Sequence, residues 1–301
     1  MGEPFIGSEA LRAGRLTRHQ LRTAHIAVYP DVYVPVATTL TAVAKAKAAS
    51  LWTGREGIIA GQSAAAIHGA RWVDARRPAE VLWHNRRAPR GVLVWSDRVA
   101  DDEVTTVRGV RVTTPERTAL DIACRYPQRR AVAAIDALAR AAHMKLADVE
   151  LLVDRHTGRR GIRAARAALN LVDPGAESPQ ETYLRLTVIG NHFPPPQTQI
   201  PVWDCGALVA ELDMGWEHMM IGLDYEGDHH RTTREAFNKG IRRHDAVTEL
   251  GWTDIRVTCN DTEGAIIARL TTAWRQRLCA LGENPDAGPP WTHVRRQRPG
   301  Q

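Results

Sequence analysis

The sequence predicts a multidomain chain of mixed α+β and α/β class. Two short helices and a hairpin stand at the N-terminus, an α/β region follows, and a mixed sheet flanked by helices closes the chain. Three observations carry this prediction. First, 301 residues exceed what one small core organises and suggest two or three domains. Second, helical and alternating-strand patterns follow one another throughout. Third, the chain is interrupted by "VDPGAESP" at 172–179 and by a Pro/Gly-rich run from Gly282. These features divide it into 1–48, 49–172, 173–281 and a tail, 282–301.

The composition, 44% hydrophobic and 25% charged, is that of an ordinary globular protein, while a net charge of +6 favours a polyanionic partner. Cys124, Cys205, Cys259 and Cys279 are far apart and form no C-x-x-C pair, which argues against a zinc ribbon or a disulfide framework. "MGEPFIGSEALRAG" has neither the basic and apolar regions of a signal peptide nor the Ser or Thr at position 6 of a myristoylation signal. No apolar run approaches the roughly 18 residues of a membrane span. A cytoplasmic location without a membrane partner is therefore expected.

At the N-terminus, Ser8 is placed to cap a short helix carrying Ala10 and Leu11, and Gly14 suits its left-handed exit. Thr17 with Gln20 forms a capping box that starts a second helix. Leu11, Leu16 and Leu21 make the buried seam. "AVYPDVYVPV" then reads as strand, Pro-Asp turn and strand. Two helices and such a hairpin form a winged helix, which lays its second helix in the DNA major groove. The expected DNA-binding residues are Arg15, Thr17, Arg18, His19 and Arg22, with double-stranded DNA as partner and no cofactor required. Many short helix pairs bind no DNA, and the basic exposed side is what favours the binding reading.

Residues 36–55 read as an Ala- and Lys-rich linking helix. The middle region opens with "GQSAAAIHGARW", a helix closed by Gly69. "AEVLWHNRR", "GVLVWSDRV" and "EVTTVRGVRVTT" read as three or four strands, with Arg108-Gly109 a tight turn. Thr114 caps the next helix and Pro115 fills its first position. Further helices follow at 128–142, from Leu146 and over "GRRGIRAARAALN"; Val132, Ile135 and Leu138 have core spacing. His68 reads as a packed or capping histidine, and no catalytic constellation is visible. The tail reads as disordered and basic, with Arg295, Arg296 and Arg298.

In the C-terminal region, Ser178, Pro179 and Glu181 open a helix. "TQIPVWD" and "LVAELDMGW" are strands around Cys205-Gly206, and "IGLDYEG" is a third. Thr232 with Glu235 caps a long helix, "WTDIRVT" is a fourth strand, and a last helix holds Ile266, Ile267 and Leu270. The order α-β-β-β-α-β-α is that of a restriction-endonuclease-like core. Alternation places Asp224 and Glu226 on one strand face and Ile221, Leu223 and Tyr225 on the other. On the preceding strand Val209, Glu211 and Asp213 oppose Leu208, Ala210 and Leu212. If the strands are neighbours, Asp213, Asp224 and Glu226 converge as ligands for Mg²⁺ or Mn²⁺, which would acidify a bound water. Any half-buried sheet also carries polar residues on its exposed face, and Glu181 is accounted for by a capping box. A basic helix at 233–249, with Arg231, Arg234, Lys239, Arg242 and Arg243, offers a third reading as a phosphate-binding scaffold.

Two resemblances extend this reading. Residues 1–170 resemble the AbiEi family, antitoxins of type IV toxin–antitoxin pairs with nucleotidyltransferase toxins. The match rests on "VYPDVYVP", "SAAAIHGARW" and, most specifically, "VRGVRVTTPERTALDIA". The chain departs from the family at the wing tip, where Pro30-Asp31 stands in place of a basic residue and Gly. Residues 177–258 resemble very-short-patch-repair-endonuclease-like domains through "ESPQETYLRL", "ELDMGW", "LDYEGDHHR" and "LGWTDIRVT". That resemblance implies metal-binding acids at Asp213 and Asp224, a further acid at Glu226 and a catalytic histidine at His230. The family has Glu then Asp where this chain has Asp224 then Glu226, and histidine replaces the lysine of other nucleases. Together the resemblances imply a DNA-binding antitoxin and transcriptional autorepressor, partnered by a nucleotidyltransferase-type toxin and carrying a nuclease-like domain expected to be inactive. The alternative is a metal-dependent DNA endonuclease targeted by its winged helix.

Overall fold

The computed structural model describes residues 2–227 and 234–285, which form two compact units divided between Pro174 and Gly175. In the first unit, strand β1 (Phe5–Ile6) leads into helices α1 (Gly7–Arg12) and α2 (Arg18–Ala24), then strands β2 (His25–Tyr29) and β3 (Val32–Pro35). The three strands form an antiparallel sheet of order β1-β3-β2. Gly14, at φ +64°, closes α1: its amide donates to the Leu11 carbonyl and the Arg15 amide to that of Ala10. This pair of bonds is a Schellman motif, and it fixes where Arg15 leaves the helix. The Thr17–Gln20 capping box forms as expected.

The expected Ser8 cap does not form, because α1 begins at Gly7 with Ile6 in the N-cap position. Its orphan amide is satisfied from the β2–β3 turn instead. Asp31 accepts from the Ser8 amide at 2.9 Å and from the Ser8 hydroxyl at 2.6 Å. Asp31 has a left-handed φ of 58°, which Asn shares easily and Ala does not. Asp31→Ala is therefore expected to cost about 1–2 kcal/mol in a denaturant melt, while Asp31→Asn stays near wild type. Equal losses for both would remove the cap from this account.

Helix α3 (Ala42–Trp52), capped by Thr41, follows the hairpin. The middle sheet has the order β6-β5-β4-β8-β7, made of β4 (Ile58–Ile59), β5 (Ala79–Leu82), β6 (Val92–Trp95), β7 (Val104–Val107) and β8 (Val110–Thr113). Helix α4 (Gly61–Ile67) is closed by Gly69, and the His68 imidazole lies 2.7 Å from the Thr113 carbonyl, a packed cap as expected. Helices α5 (Pro115–Arg125), α6 (Gln128–Ala142), α7 (Leu146–Arg155) and α8 (Ile162–Leu169) complete the unit.

One strand here has no signal in the sequence, and one expectation fails. The short β4 has too few residues to show a period, and "AEVLWHNRR" stops being a strand at Leu82. Residues 83–91 are a loop joining the parallel strands β5 and β6. Tyr29 and Val32 of the hairpin share one buried cluster with Ala46, Ile59, Val81 and Val92, so the N-terminal hairpin and the middle region fold around a common core.

The second unit runs α9 (Pro179–Gly190), β9 (Gln197–Asp204), β10 (Ala207–Trp216), β11 (Ile221–Glu226), α10 (Arg234–Glu249), β12 (Thr253–Thr258) and α11 (Glu263–Ala280). Its sheet order is β12-β11-β10-β9, antiparallel except for β11 against β12. Met214, Trp216, Ile221 and Leu223 pack with α9 and α11, where Trp274 meets Trp216 and Phe193 edge to face. Ala210 and Leu212 pack with Ile200, Val202 and Val247. Leu208 does not join them: a register shift between Leu208 and Ala210 breaks the alternation and leaves Leu208 exposed. Among the described residues no helix is long and apolar enough to cross a membrane.

Candidate functional sites: a basic helix and an acidic pair

Helix α2 presents its polar side to solvent. Leu21 is buried, while Arg15, Thr17, Arg18, His19 and Arg22 are all exposed. Arg18 and Arg22 are four apart and stand one above the other on the helix surface. Thr17 is committed to its cap, accepting from the Gln20 amide at 3.2 Å. The acids of this region are occupied elsewhere. Glu9 is held in a two-pronged pair by Arg55 at 2.8 Å on each oxygen, Glu3 by Lys47 at 2.7 Å, and Asp31 by Ser8. The Arg55 hydrogen bond first, and then the charges of Arg55, Arg12 and Arg15, hold the Glu9 carboxyl below its usual range. Among the described residues Arg15, Arg18 and Arg22 pair with no carboxylate. A basic helix surface remains, suited to phosphate and base edges.

In the second unit Asp213 and Asp224 meet across β10 and β11. The Asp213 amide donates to Asp224 Oδ1 at 2.9 Å, and the Tyr225 amide donates to Asp213 Oδ2 at 2.7 Å. Each carboxylate thus replaces a ladder acceptor on the other strand, which locks both side chains. Burial, then the charges of Asp224 and Glu181, push Asp213 up to about 7. Burial also raises Asp224, although Arg243 opposes it. Arg243 of α10 places Nη1 2.7 Å from Asp224 Oδ2, off the line of a good hydrogen bond, and Nη2 donates to the Glu211 carbonyl.

Glu226 does not complete a triad. It pairs with Arg256 Nη1 at 2.8 Å, and Arg256 also lies 3.4 Å from Asp254 and donates to the Gly240 carbonyl at 2.6 Å. His244 Nδ1 stands 2.8 Å from Asp254. Ser178 caps α9, its hydroxyl accepting from the Glu181 amide at 3.2 Å and donating to the Glu181 carboxylate at 2.8 Å, while the other carboxylate oxygen accepts from the Glu177 amide at 2.7 Å. The expected convergence of Asp213, Asp224 and Glu226 is therefore a pair, with a guanidinium against one member and the third acid drawn off by another guanidinium. Among the described residues no group of three or more His, Cys, Asp or Glu side chains is placed to hold a metal ion. As arranged, these residues do not fit a three-carboxylate Mg²⁺ or Mn²⁺ site. His230 lies outside the described residues, as do the Thr232 cap and most of the tail.

The sequence reading missed a buried ionic network in the first unit. Arg117 is 0% exposed and touches Glu103, which is 2% exposed, and Asp121, which is 0% exposed. Its Nε donates to Asp121 at 3.0 Å and its Nη1 to Glu103. Arg159 also contacts Asp121, and His156 Nε2 lies 2.7 Å from Glu103. "ERTALD" carries Arg117 and Asp121 at helical spacing, which was the available signal; the other partners come from distant segments. This network ties the motif "TTPERTALDIA" to the C-terminal end of α7 and to the turn that precedes α8.

Residues 57–173 match the AbiEi antitoxin C-terminal domain family. Uncharacterized proteins of two Mycobacterium tuberculosis strains are each 31% identical over 167 residues, 54% of this chain. The chain spans 62% of the length of those relatives. No solved structure matches.

Proposed function

We propose that the chain is a DNA-binding antitoxin that represses its own operon and neutralises a nucleotidyltransferase-type toxin. The observation that carries the DNA-binding side is the surface of α2, where Arg15, Arg18, His19 and Arg22 stand exposed while nearby acids are consumed by internal pairs. Such a helix gains affinity by releasing phosphate counterions and specificity by reaching base edges. The match of residues 57–173 to an antitoxin domain supports the toxin-neutralising side. A reporter driven by the chain's own upstream DNA tests the reading. The wild-type chain is expected to repress it. Arg18→Ala/Arg22→Ala is expected to release repression, since two lost contacts of about 1–3 kcal/mol each weaken binding by at least roughly 30-fold. Equal repression by both chains contradicts the proposal.

The second reading, a metal-dependent DNA endonuclease, draws on the element order and on the Asp213–Asp224 pair. Its ligands would be Asp213, Asp224 and Glu226, with His230 moving a proton. Arg243 against Asp224 and Arg256 against Glu226 argue for the inactive form of this domain. Mg²⁺- or Mn²⁺-dependent nicking of plasmid, abolished by Asp224→Ala, would reverse that judgement.

A further inference from the structure

We infer that residues 83–91, the loop between β5 and β6, are a second DNA-backbone contact that supplies what the wing tip lacks. The inference rests on the reading of α2 as a DNA-binding helix. The wing turn, Pro30-Asp31, offers no cation, and its carboxylate is committed to capping α1. The residue just before that turn, Tyr29, is 4% exposed and donates its hydroxyl to the Gly91 carbonyl at 3.1 Å. The loop is thereby fastened beside the wing.

The loop is also ordered in its own right. Trp83 and Ala88 pack against the cluster that contains Tyr29 and Val32. The Arg87 amide donates to Asn85 Oδ1 at 3.0 Å, the Ala88 amide to the Arg86 carbonyl at 2.9 Å, and the Val92 amide to the Pro89 carbonyl at 3.2 Å. With its apolar residues turned inward, the loop leaves Arg86, Arg87 and Arg90 exposed. Arg86 reaches Ser96 at 2.7 Å, and among the described residues none of the three pairs with a carboxylate. Three unneutralised guanidinia on a short, pinned loop form an anion-binding surface.

Reach favours duplex DNA as the occupant. Strand β2 runs from the end of α2 to Tyr29, so the loop anchor lies about 13 Å along the strand from the helix, comparable with the roughly 12 Å width of the major groove. With α2 in that groove, the loop meets phosphates on its flank. Contacts of this kind position the protein without reading sequence. The two sites therefore divide the work, with α2 selecting bases and the loop adding charge-dependent grip.

The test is fluorescence anisotropy with the full chain, on its own upstream duplex and on an unrelated duplex, across a KCl series. Three proteins are compared: wild type, Arg86→Gln/Arg87→Gln/Arg90→Gln and Arg18→Ala/Arg22→Ala. Removing the loop cations is expected to lower the slope of log affinity against log salt by about 3, one phosphate contact per arginine, equally on both duplexes. The preference for the upstream duplex stays unchanged. The α2 variant is expected to lose that preference. An unchanged slope in the loop variant, with preference lost only in the α2 variant, overturns this inference alone. Absence of DNA binding by the wild type overturns it together with the reading beneath it. A loop variant that binds DNA normally but no longer neutralises a toxin also overturns it, because the loop then serves a protein partner.

Discussion

Arg117→Ala is expected to lower the melting temperature of the first unit by roughly 10 °C. Arg117 is fully buried between Glu103 and Asp121. Removing one partner of a buried pair leaves charge with neither water nor counterion, a loss of about 3–5 kcal/mol. For a unit of this size each kcal/mol moves the midpoint by about 2–4 °C. Arg117→Lys is expected to recover only part of the loss, because a single ammonium cannot serve two carboxylates as a planar guanidinium does. The pH dependence follows from Glu103. Burial pushes its carboxyl up, but the hydrogen bonds and charges of His156 and Arg117 outweigh burial and hold it below its ordinary value of 4.5. A depressed folded-state pKa gives stability that is present above 4.5 and lost as pH falls through the lower folded value. Differential scanning calorimetry between about pH 3 and 7 checks both points. A melting temperature unchanged by Arg117→Ala would show that the network does not hold the helices.

Asp213→Asn is expected to act in the opposite direction and to stabilise the second unit at and above neutral pH. Burial beside Asp224 and Glu181 pushes the Asp213 carboxyl from 3.8 up to about 7. Between these values the folded state holds a proton that the unfolded chain releases, so stability falls as pH rises across that window. A shift of this size corresponds to about 4 kcal/mol. Asparagine carries no charge to bury, and its Oδ1 can still accept from the Tyr225 amide. The wild-type chain should therefore lose stability from about pH 4 to 7 in the transition of the second unit, and the variant should lose less, the remainder coming from the raised carboxyl of Asp224. Loss of stability in the variant at pH 8 would show that the carboxylate is worth more than its burial costs, as in a working metal site.

The parts of this molecule that were legible in the sequence are those determined locally. The box at Thr17–Gln20, the Ser178 cap, the Thr114–Pro115 start and the Gly14 exit each depend on residues within one turn, and all form. The Asp213–Asp224 pairing also followed from alternation once the strands were taken as neighbours. Features set by distant partners stayed hidden. Ser8 looked like its own helix's cap, yet Asp31, 23 residues on, supplies the acceptor. Glu226 seemed aimed at its neighbours until Arg256, 30 residues later, took it. The basic loop was obscured because "VLWHNRR" continues a strand pattern past the point where Trp83 turns back onto the core. Period alone does not reveal where tertiary packing ends a strand.

The most direct test of the central claim is equilibrium binding of the purified chain to its own upstream DNA at fixed salt, against a shuffled duplex of equal length. The account predicts tighter binding to the upstream fragment, with the difference erased by Arg18→Ala/Arg22→Ala. Binding that ignores both the DNA sequence and these arginines would contradict it and return attention to the acids around Asp224.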